Sequence, residues 1–315
     1  MLDLAVIIVT WNVRELALQT LRTLTNDLQE SGLEAQIYLI DNASSDQTLQ
    51  AVELQFPDVA RIASPENLGF ARANNVVLRQ LGFGQADASD LPKAVYLLNC
   101  DTIVQKGSTR ALFEALFSLD HAGLVGANLT YGDGSFQHGA FGFPGLRQLW
   151  VEFFPTPGRF IEGHFNGRFP LSSYHSSRPF PVDCVLGATM MLRREVIQQT
   201  GMFDEQFYMY CEEIDWAWRI HKAGWGVYCV PNAHVTHLGG QSTSQVRAQS
   251  VVNLWTSRLN LFFKHYPFWK RLLAHLLIIV GMWLKLKRLP AAADDYTNGL
   301  RTAYRTVARM ALKRI

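Results

Sequence analysis

The stretch AVYLLNCDT, residues 94–102, passes directly from an apolar run into polar and acidic residues. Residues 94–98 are typical of a buried β-strand, and Asn99, Cys100 and Asp101 follow at its end. Asparagine and aspartate are favoured turn residues, so the end of a strand is a sufficient explanation for both. The alternative is that Asp101 binds a metal ion at the mouth of a parallel sheet.

The segments around this stretch alternate between strand and helix patterns. Continuous apolar runs predict strands at 4–9, 36–40, 59–63, 94–98 and 124–129, with helices predicted at 13–28, 46–55, 70–81 and 107–119. Asn12 is the expected N-cap of the first helix. This alternation predicts an α/β fold whose sheet is mainly parallel and covered by helices on both faces.

Polar side chains follow several of these strands at the point where the strand ends. They are Thr10, Asp41, Asn67 and Asp101. In open parallel sheets, ligands bind beyond the carboxyl ends of the strands. We therefore expect these residues to share one edge of the sheet, and that shared placement favours a binding site more strongly than any one of them does.

Composition and missing motifs exclude several classes of protein. With 48% hydrophobic and 18% charged residues, the 315-residue chain is predicted to be an ordered globular protein. It has no GxxxxGK[ST] motif, and Gly82-Phe83-Gly84 follows a predicted helix, which argues against P-loop enzymes and Rossmann dehydrogenases. The four cysteines have no CxxC spacing, and the apolar run at 4–9 is short for a signal peptide, so we expect a cytoplasmic location.

The second half of the chain changes character twice. Residues 131–181 are rich in glycine, proline and phenylalanine, which predicts an extended, partly mobile insertion. Order is predicted to return at 182–197, followed by a helix at 212–223 and by a strand at 226–230 that Pro231 should end. Beyond Gly240 the pattern is helical. We therefore expect one domain at 1–242 and a helical C-terminal segment at 243–315.

Seven short motifs occur in an order that is more specific than any of them alone. They are VIIVTWN (6–12), IDNASSDQT (40–48), NLGFARANN (67–75), LLNCDT (97–102), GATMMLRR (187–194), FYMYCEEIDWAWR (207–219) and HLGGQS (237–242). The set resembles the inverting family-2 glycosyltransferases of the GT-A fold, particularly their rhamnosyltransferase-like bacterial members. The resemblance covers about residues 4–242 and implies transfer of a sugar, with rhamnose as the preferred candidate, from a nucleotide-sugar donor.

The resemblance implies a role for each residue at the predicted sheet edge. Asp41 matches the carboxylate that accepts the N–H of a pyrimidine base, although it is also a good turn residue. Asn67 and Gly69 match the loop that shapes the nucleotide pocket, where the alternative is a helix-entry turn. Thr10 is assigned to the same nucleotide site.

The family's D-x-D motif matches Asn99-Cys100-Asp101, with asparagine in place of the first aspartate. Asp101 is then the carboxylate that binds Mg²⁺ or Mn²⁺, and Asn99 either ligates the metal, contacts one of its ligands or contacts the sugar. His237 matches a histidine that supplies a further metal ligand, although an isolated histidine is more often structural. The cation neutralises charge on the departing diphosphate.

Inversion needs a base that deprotonates the acceptor hydroxyl as this attacks the anomeric carbon. The family's Glu-Asp pair aligns with Glu212-Glu213, which places the base at Glu213. Glu212 and Asp215 are the neighbouring candidates. Asp215 has a structural alternative, because it lies four residues before Arg219 on a predicted helix, a favourable spacing for an ion pair.

The charge of the chain is concentrated near its end. From Arg258 to Ile315 there are 12 lysines and arginines and 2 acids, so the remainder of this chain of net charge +2 carries −8. The apolar run 272–284 is shorter than the ~20 residues that span a membrane, which favours an interfacial or buried helix. Together they predict a peripheral protein on the inner face of the cell membrane. The resemblance implies that a polyprenyl-diphosphate-linked acceptor would be found there.

Three functions are compatible with some of these features. The first is a metal-dependent inverting glycosyltransferase acting on a cell-surface glycan or lipid-linked acceptor, as a monomer or an oligomer. The second is a catalytically weak relative that binds nucleotide sugar or glycan as an accessory protein. A nucleic-acid-binding protein is disfavoured, since a basic tail without a recognition motif leaves the acidic motifs unexplained; we therefore expect no nucleic-acid partner.

Overall fold

The computed structural model describes residues 2–85, 90–239, 247–290 and 294–313 of the chain. They divide into two compact units. The first unit comprises Met1–Phe141, Leu171–Glu205 and Glu213–Ser242, and the second comprises Gly142–Pro170, Gln206–Glu212 and Thr243–Ile315. The predicted boundary after residue 242 lies outside the described residues and stays a prediction, and the segments 142–170 and 206–212 group with the C-terminal helices.

All strands of the described part lie in the first unit. They are Leu4–Thr10 (β1), Ala35–Asp41 (β2), Ala60–Ala63 (β3), Ala94–Asn99 (β4), Thr102–Val104 (β5), Ala122–Thr130 (β6), Phe136–Gln137 (β7), Ala140–Phe141 (β8), Phe180–Pro181 (β9), Cys184–Val185 (β10), Thr189–Arg193 (β11) and Gly226–His237 (β12). The main sheet has the order β3-β2-β1-β4-β11-β6-β12-β5, with β7 beside β6 and β9 beside β12. Strands β8 and β10 form a separate pair.

The helices follow the strands much as the sequence pattern predicts. They are Arg14–Ser31 (α1), Thr48–Gln55 (α2), Phe70–Gln80 (α3), Ser108–Ser118 (α4), Leu146–Phe153 (α5), Gly158–Ile161 (α6), Leu171–Tyr174 (α7), Arg194–Thr200 (α8), Glu212–Lys222 (α9), Arg247–His265 (α10), Phe268–Arg288 (α11) and Asp295–Lys313 (α12), with a 3-10 helix at His164–Asn166.

The sheet is mainly parallel, with one antiparallel strand near its middle. Strands β1 to β4 pair in parallel, as do β6 and β12. Strand β11 runs antiparallel to both of its neighbours, β4 and β6. The residues of β1 from Leu4 to Ile8 are all fully buried, as expected for a strand covered on both faces.

The strand predicted to end at Pro231 continues six residues further. Its pairing with β6 shifts register between Val230 and His234, so Pro231 lies in a bulge. Proline is tolerated at a bulge because no ladder hydrogen bond is required of its nitrogen there. The extension brings His237 opposite Thr102 of β5, and the predicted end of the strand was therefore wrong.

The second unit is built around aromatic and aliphatic side chains of α5 and α10 to α12. Phe153 stacks on Trp255 with ring centroids 5.3 Å apart, and both are buried with Ile278 and Val307. The insertion predicted to be extended thus contains helix α5, because its apolar side chains complete this core. Among the described residues, no helix combines the length and the apolarity needed to cross a membrane.

Candidate active site

The carboxyl ends of β1, β2 and β4 meet at one edge of the sheet. In the parallel register, Thr10 lies opposite Asp41, and Val9 lies opposite Asn99. Thr10 is fully buried, and Asp41 is almost so. The structure therefore brings together the sequence-predicted residues that end these three strands.

The Asp41 carboxylate is held by the turn that follows it. It accepts the Ser44 backbone N–H at 3.0 Å and also the Ser44 hydroxyl. That hydroxyl oxygen accepts the Asn12 N–H at 2.8 Å, while the Asn12 side-chain carbonyl accepts the Ser45 N–H at 2.8 Å. Asn12 has a left-handed φ of 52° and does not cap α1, so the predicted cap was wrong. Its hydrogen bonds to Ser44 and Ser45 join the end of β1 to the turn after β2 instead.

The Asn67–Gly69 loop is anchored to the same edge through Asn42. The Asn42 side chain donates to the Gly69 carbonyl at 3.3 Å and accepts the Leu68 N–H at 3.4 Å. Asn67 in turn accepts the Gly69 N–H at 3.0 Å. Gly69 has a φ of 76°, a conformation in which a side chain is disfavoured. The loop is thus fixed beside the residue that follows Asp41.

Asp101, His237 and Asn99 form a compact polar cluster. Asp101 Oδ1 lies 3.4 Å from His237 Nε2, and Asn99 Nδ2 lies 3.4 Å from the same nitrogen. The Leu238 N–H donates to the Asp101 backbone carbonyl at 2.9 Å, which joins the end of β12 to the turn after β4. Asp101 and His237 are both buried. This pair connects residues more than a hundred positions apart.

The donor atoms of this cluster fit a divalent cation. Neighbouring ligands of an octahedral ion with bonds of ~2.1 Å stand about 3 Å apart, close to the Asp101–His237 separation. Within the described ranges, no group of three His, Cys, Asp or Glu side chains is placed to hold a metal. A cation here would therefore need further ligands, such as diphosphate oxygens.

Cys100 stands between the two matched positions of the motif but is not available as a thiolate. Its burial, followed by the negative charge of Asp101, raises the pKa of the Cys100 thiol far above its usual range. The thiol therefore stays protonated at neutral pH. A protonated thiol is a poor metal ligand, so the carboxylate and the imidazole remain the stronger candidates.

Helix α9 carries the acidic residues predicted to include the base. Glu213 is partly buried, and its side chain packs against Gly187, where an added Cβ would lie 3.8 Å from Glu213 Cγ. Burial raises the pKa of Glu213 to about 7, although backbone hydrogen bonds oppose the shift. The neighbouring Ala188 carbonyl accepts the Asn99 N–H at 3.0 Å. The turn at 187–188 therefore contacts both the acidic helix and the end of β4.

The backbone entering α9 is unusual. Tyr210 and Cys211 have φ angles of 69° and 65°, which non-glycine residues seldom adopt. Such conformations cost roughly 1–3 kcal/mol each and cluster at functional sites. Glu212, the first residue of the helix, is buried. No pattern in the sequence signals this backbone.

Asp215 is placed in a structural interaction. Its fully buried carboxylate accepts Arg219 Nε at 2.9 Å, four residues along the helix. Arg219 Nη2 also donates to the Met202 carbonyl at 2.8 Å, so the pair joins α9 to the loop after α8. This arrangement favours the ion-pair interpretation of Asp215 over a role as base. The adjacent Trp216 is fully buried against Phe203.

Sequence reasoning missed Asn12, Asn42 and Ser44 as residues that support the site. Each lies within a motif quoted for the resemblance or directly beside a predicted site residue. Their position after strand ends was the available signal. The hydrogen bonds that join Asn12 to Ser44 and Asn42 to Gly69 span 32 and 27 positions, and no sequence pattern signals them.

Comparisons with known proteins agree with this architecture. A profile of the family described as "Glycosyltransferase like family 2" matches residues 3–251. The N-acetylglucosaminyl-diphospho-decaprenol L-rhamnosyltransferase of Mycobacterium tuberculosis is 32% identical over 216 residues, covering 66% of this chain and 68% of that protein. The low-salt glycan biosynthesis hexosyltransferase Agl10 of Haloferax volcanii is 23% identical, covering 93% and 87%.

Solved structures show the same fold. The mannosyltransferase PcManGT from Pyrobaculum calidifontis, in complex with GDP-Man and Mn²⁺, superposes with a TM-score of 0.54 at 16% identity, covering 99% of this chain and 85% of that one. The predicted GT-A fold is confirmed. The chain thus belongs to glycosyltransferase family 2, and it is a glycosyltransferase of the rhamnosyltransferase-like kind.

Proposed function

We propose that this glycosyltransferase is metal-dependent and inverting, and that it moves rhamnose from a nucleotide donor to a polyprenyl-diphosphate-linked glycan. The observation that carries the proposal is the buried Asp101–His237 pair, with 3.4 Å between carboxylate oxygen and imidazole nitrogen. Asp101 follows the end of β4 at Asn99. Asn99 is opposite Val9 of β1, and the next residue of β1, Thr10, is opposite Asp41 of β2.

Each part of the site has a distinct task in this proposal. Asp41 accepts the N–H of the donor's base, while Thr10 and the Asn67–Gly69 loop line the nucleotide pocket. Asp101 and His237 would hold Mg²⁺ or Mn²⁺, and Asn99, held within 3.4 Å of His237, would face the sugar. The cation would supply neutralisation of the charge that develops on the departing diphosphate.

Glu213 is the proposed base. It takes the proton of the acceptor hydroxyl as that oxygen forms a bond to the anomeric carbon. The bond between this carbon and the diphosphate oxygen breaks on the opposite side, and its electron pair leaves with the diphosphate. A pKa of about 7 suits this role, since the group is then both ionised and basic near neutral pH. Glu212 and Asp215 remain the neighbouring candidates to be tested.

The acceptor class and the cellular site rest on the relatives and on charge. The mycobacterial relative is named for a decaprenol-diphosphate acceptor, and such lipids reside in membranes. The C-terminal part, proposed as a separate segment at 243–315, is strongly basic, with 12 basic and 2 acidic residues from Arg258 onward. We place the enzyme on the inner face of the cell membrane as a peripheral protein, attracted by anionic lipid.

Turnover separates an enzyme from an accessory binding protein. The wild-type chain is incubated with dTDP-rhamnose, a polyprenyl-diphosphate-linked N-acetylglucosamine acceptor and Mn²⁺, and the product is identified by mass spectrometry and by the anomeric configuration from NMR. We expect transfer with inversion. Tight donor binding without any transfer, over a panel of nucleotide sugars and acceptors, would favour the accessory protein instead.

Calorimetry of Asp101→Ala tests the metal site independently of turnover. Wild type should bind the nucleotide diphosphate more tightly with Mn²⁺ than with EDTA, and Asp101→Ala should lose this difference while keeping its thermal unfolding transition. His237→Ala should lose most of it. Unchanged Mn²⁺-dependent binding in Asp101→Ala would refute the assignment. Asp133→Ala, at an exposed turn in the same unit, is the matched control.

A further inference from the structure

The outward face of helix α11 is apolar over four turns. Its exposed residues are Trp269, Leu273, Leu276, Val280 and Trp283, spaced alternately by four and three positions, and their side chains are 45–60% exposed. They form one stripe about 21 Å long, from the helical rise of 1.5 Å over fourteen residues. The opposite face, with Ala274, Ile278 and Met282, is buried in the core of the second unit.

No charged residue interrupts this stripe. The nearest charges are Lys270 and Arg271 at one end and Lys285 and Lys287 at the other. Lys287 Nζ stands 3.7 Å from the centre of the Trp283 ring, which places a cation directly on the last apolar side chain. An exposed apolar surface of this extent on a monomeric protein normally marks a contact site.

The charges that flank the stripe are basic, and one of them, Lys285, is already paired with Glu152 of α5 at 3.0 Å. Helices α10 and α11 contain no aspartate or glutamate, and α12 contains Asp295 as its single acidic residue. Two α11 stripes packed face to face would therefore bring Lys270, Arg271 and Lys287 against basic residues in either orientation. An anionic lipid surface instead satisfies both features, since it accepts apolar side chains below its headgroups and attracts the lysines and arginines beside them.

We propose that the outward face of α11 inserts into the interface of anionic membranes and is the surface by which the chain docks there. The two tryptophans lie at the ends of the stripe, where their rings can occupy the headgroup level. This inference rests on the proposed function in one respect: a lipid-linked acceptor is the reason for the enzyme to bind a membrane. The surface itself is defined by exposure and charge on α11.

The test is vesicle flotation of the full chain. Vesicles of equal parts phosphatidylcholine and phosphatidylglycerol should carry wild type upward at low salt, and pure phosphatidylcholine should carry much less. Leu276→Glu places a charge at the centre of the stripe and should lower partitioning at least tenfold, because both the apolar contact and the attraction are weakened. Leu54→Glu is the matched control: it makes the same change at an exposed leucine on α2, and it should float like wild type.

Two measurements separate this proposal from its competitors. Asp101→Ala should float like wild type although it should transfer no sugar. Wild type that floats but transfers no sugar would contradict the proposed function and leave the docking surface standing. Sedimentation of the free protein examines self-association. Equal flotation of wild type and Leu276→Glu, or a concentration-dependent dimer lost in Leu276→Glu without vesicle binding by wild type, would overturn the proposal.

Discussion

Replacing Glu213 by glutamine should separate catalysis from stability. The change keeps the size and shape of the side chain and removes its ability to accept a proton. If Glu213 is the base, sugar transfer should fall by about a hundredfold or more, the usual contribution of a general base. Binding of the nucleotide donor should be unchanged, since none of the donor contacts proposed above involves this residue.

The raised pKa of Glu213 sets a pH profile for the wild type. A carboxyl with a pKa of about 7 is roughly one-tenth ionised at pH 6 and nine-tenths ionised at pH 8. The value of kcat/KM should therefore rise about tenfold over this interval and then level off. The residual activity of Glu213→Gln should lack this rise.

The same pKa predicts that the variant is more stable at alkaline pH. A carboxyl whose pKa is raised on folding, from 4.5 to about 7, binds more protons in the folded state between these values. The free energy of unfolding of wild type therefore falls as pH rises through this window, by up to about 3 kcal/mol. Glutamine has no such proton to lose. Glu213→Gln should match wild type near pH 4 and exceed it at pH 8.

The assays are initial rates of transfer from pH 6 to 8 and urea unfolding at both ends of the stability window. Glu212→Gln is the matched control, with the same change one residue earlier. Near-normal transfer by Glu213→Gln, together with an Asp215→Asn variant that is folded in the urea titration but inactive, would move the base by two positions. Activity in all three variants would remove the base from α9 altogether. A Glu213→Gln variant that is inactive but no more stable at pH 8 would refute the burial argument.

Two further predictions concern the two units separately. Asp215→Asn should lower the free energy of unfolding in urea titrations by roughly 3 kcal/mol, because it leaves Arg219 without its buried carboxylate partner. Glu114→Gln, in the exposed i,i+4 pair with Arg110, should change little. Equal effects of the two substitutions would contradict the buried-pair account. Gly281→Ala should destabilise the second unit by about 2 kcal/mol, since the added Cβ would lie 2.2 Å from the Phe153 ring. Gly299→Ala, where the nearest atom is 3.4 Å away, should be neutral or stabilising. The opposite order of the two melting temperatures would disprove the packing of Gly281 against Phe153.

The parallel half of the sheet was predictable because its strands are buried on both faces. Residues 4–9 and 94–98 are continuous apolar runs, and the observed strands begin at the same residues and extend each by one. Polar residues placed directly after such runs must then lie at one edge of a parallel sheet. This is why Thr10, Asp41, Asn67 and Asp101 could be grouped at one edge from the sequence.

Long-range pairings were not predictable in the same way. The bulge that carries β12 past Pro231 depends on its neighbour β6, and no local pattern indicates where the strand resumes. Similarly, the N–H of Arg14 at the start of α1 is accepted by Asp46 at 2.8 Å, from a turn 32 positions away, rather than by the preceding Asn12. In both cases a residue distant in sequence hydrogen-bonds to the backbone, whereas the local pattern predicted the end of a strand or a helix cap from a neighbouring residue.

Two features of this chain oppose its stability, and both have a role in the functions proposed above. A buried carboxyl with a pKa near 7 opposes folding at the pH where a base is needed, and apolar side chains exposed on α11 forgo the burial that would stabilise the second unit. At both places the sequence departs from the pattern that stability alone would favour, and such departures are expected at functional sites. Stabilising substitutions are therefore expected at these positions. A change at Glu213 should lower transfer and leave membrane docking intact, whereas a polar change on the exposed face of α11 should lower docking and, with it, transfer to a membrane-bound acceptor. A stabilising change at Glu213 that leaves transfer intact would show that its burial serves packing alone.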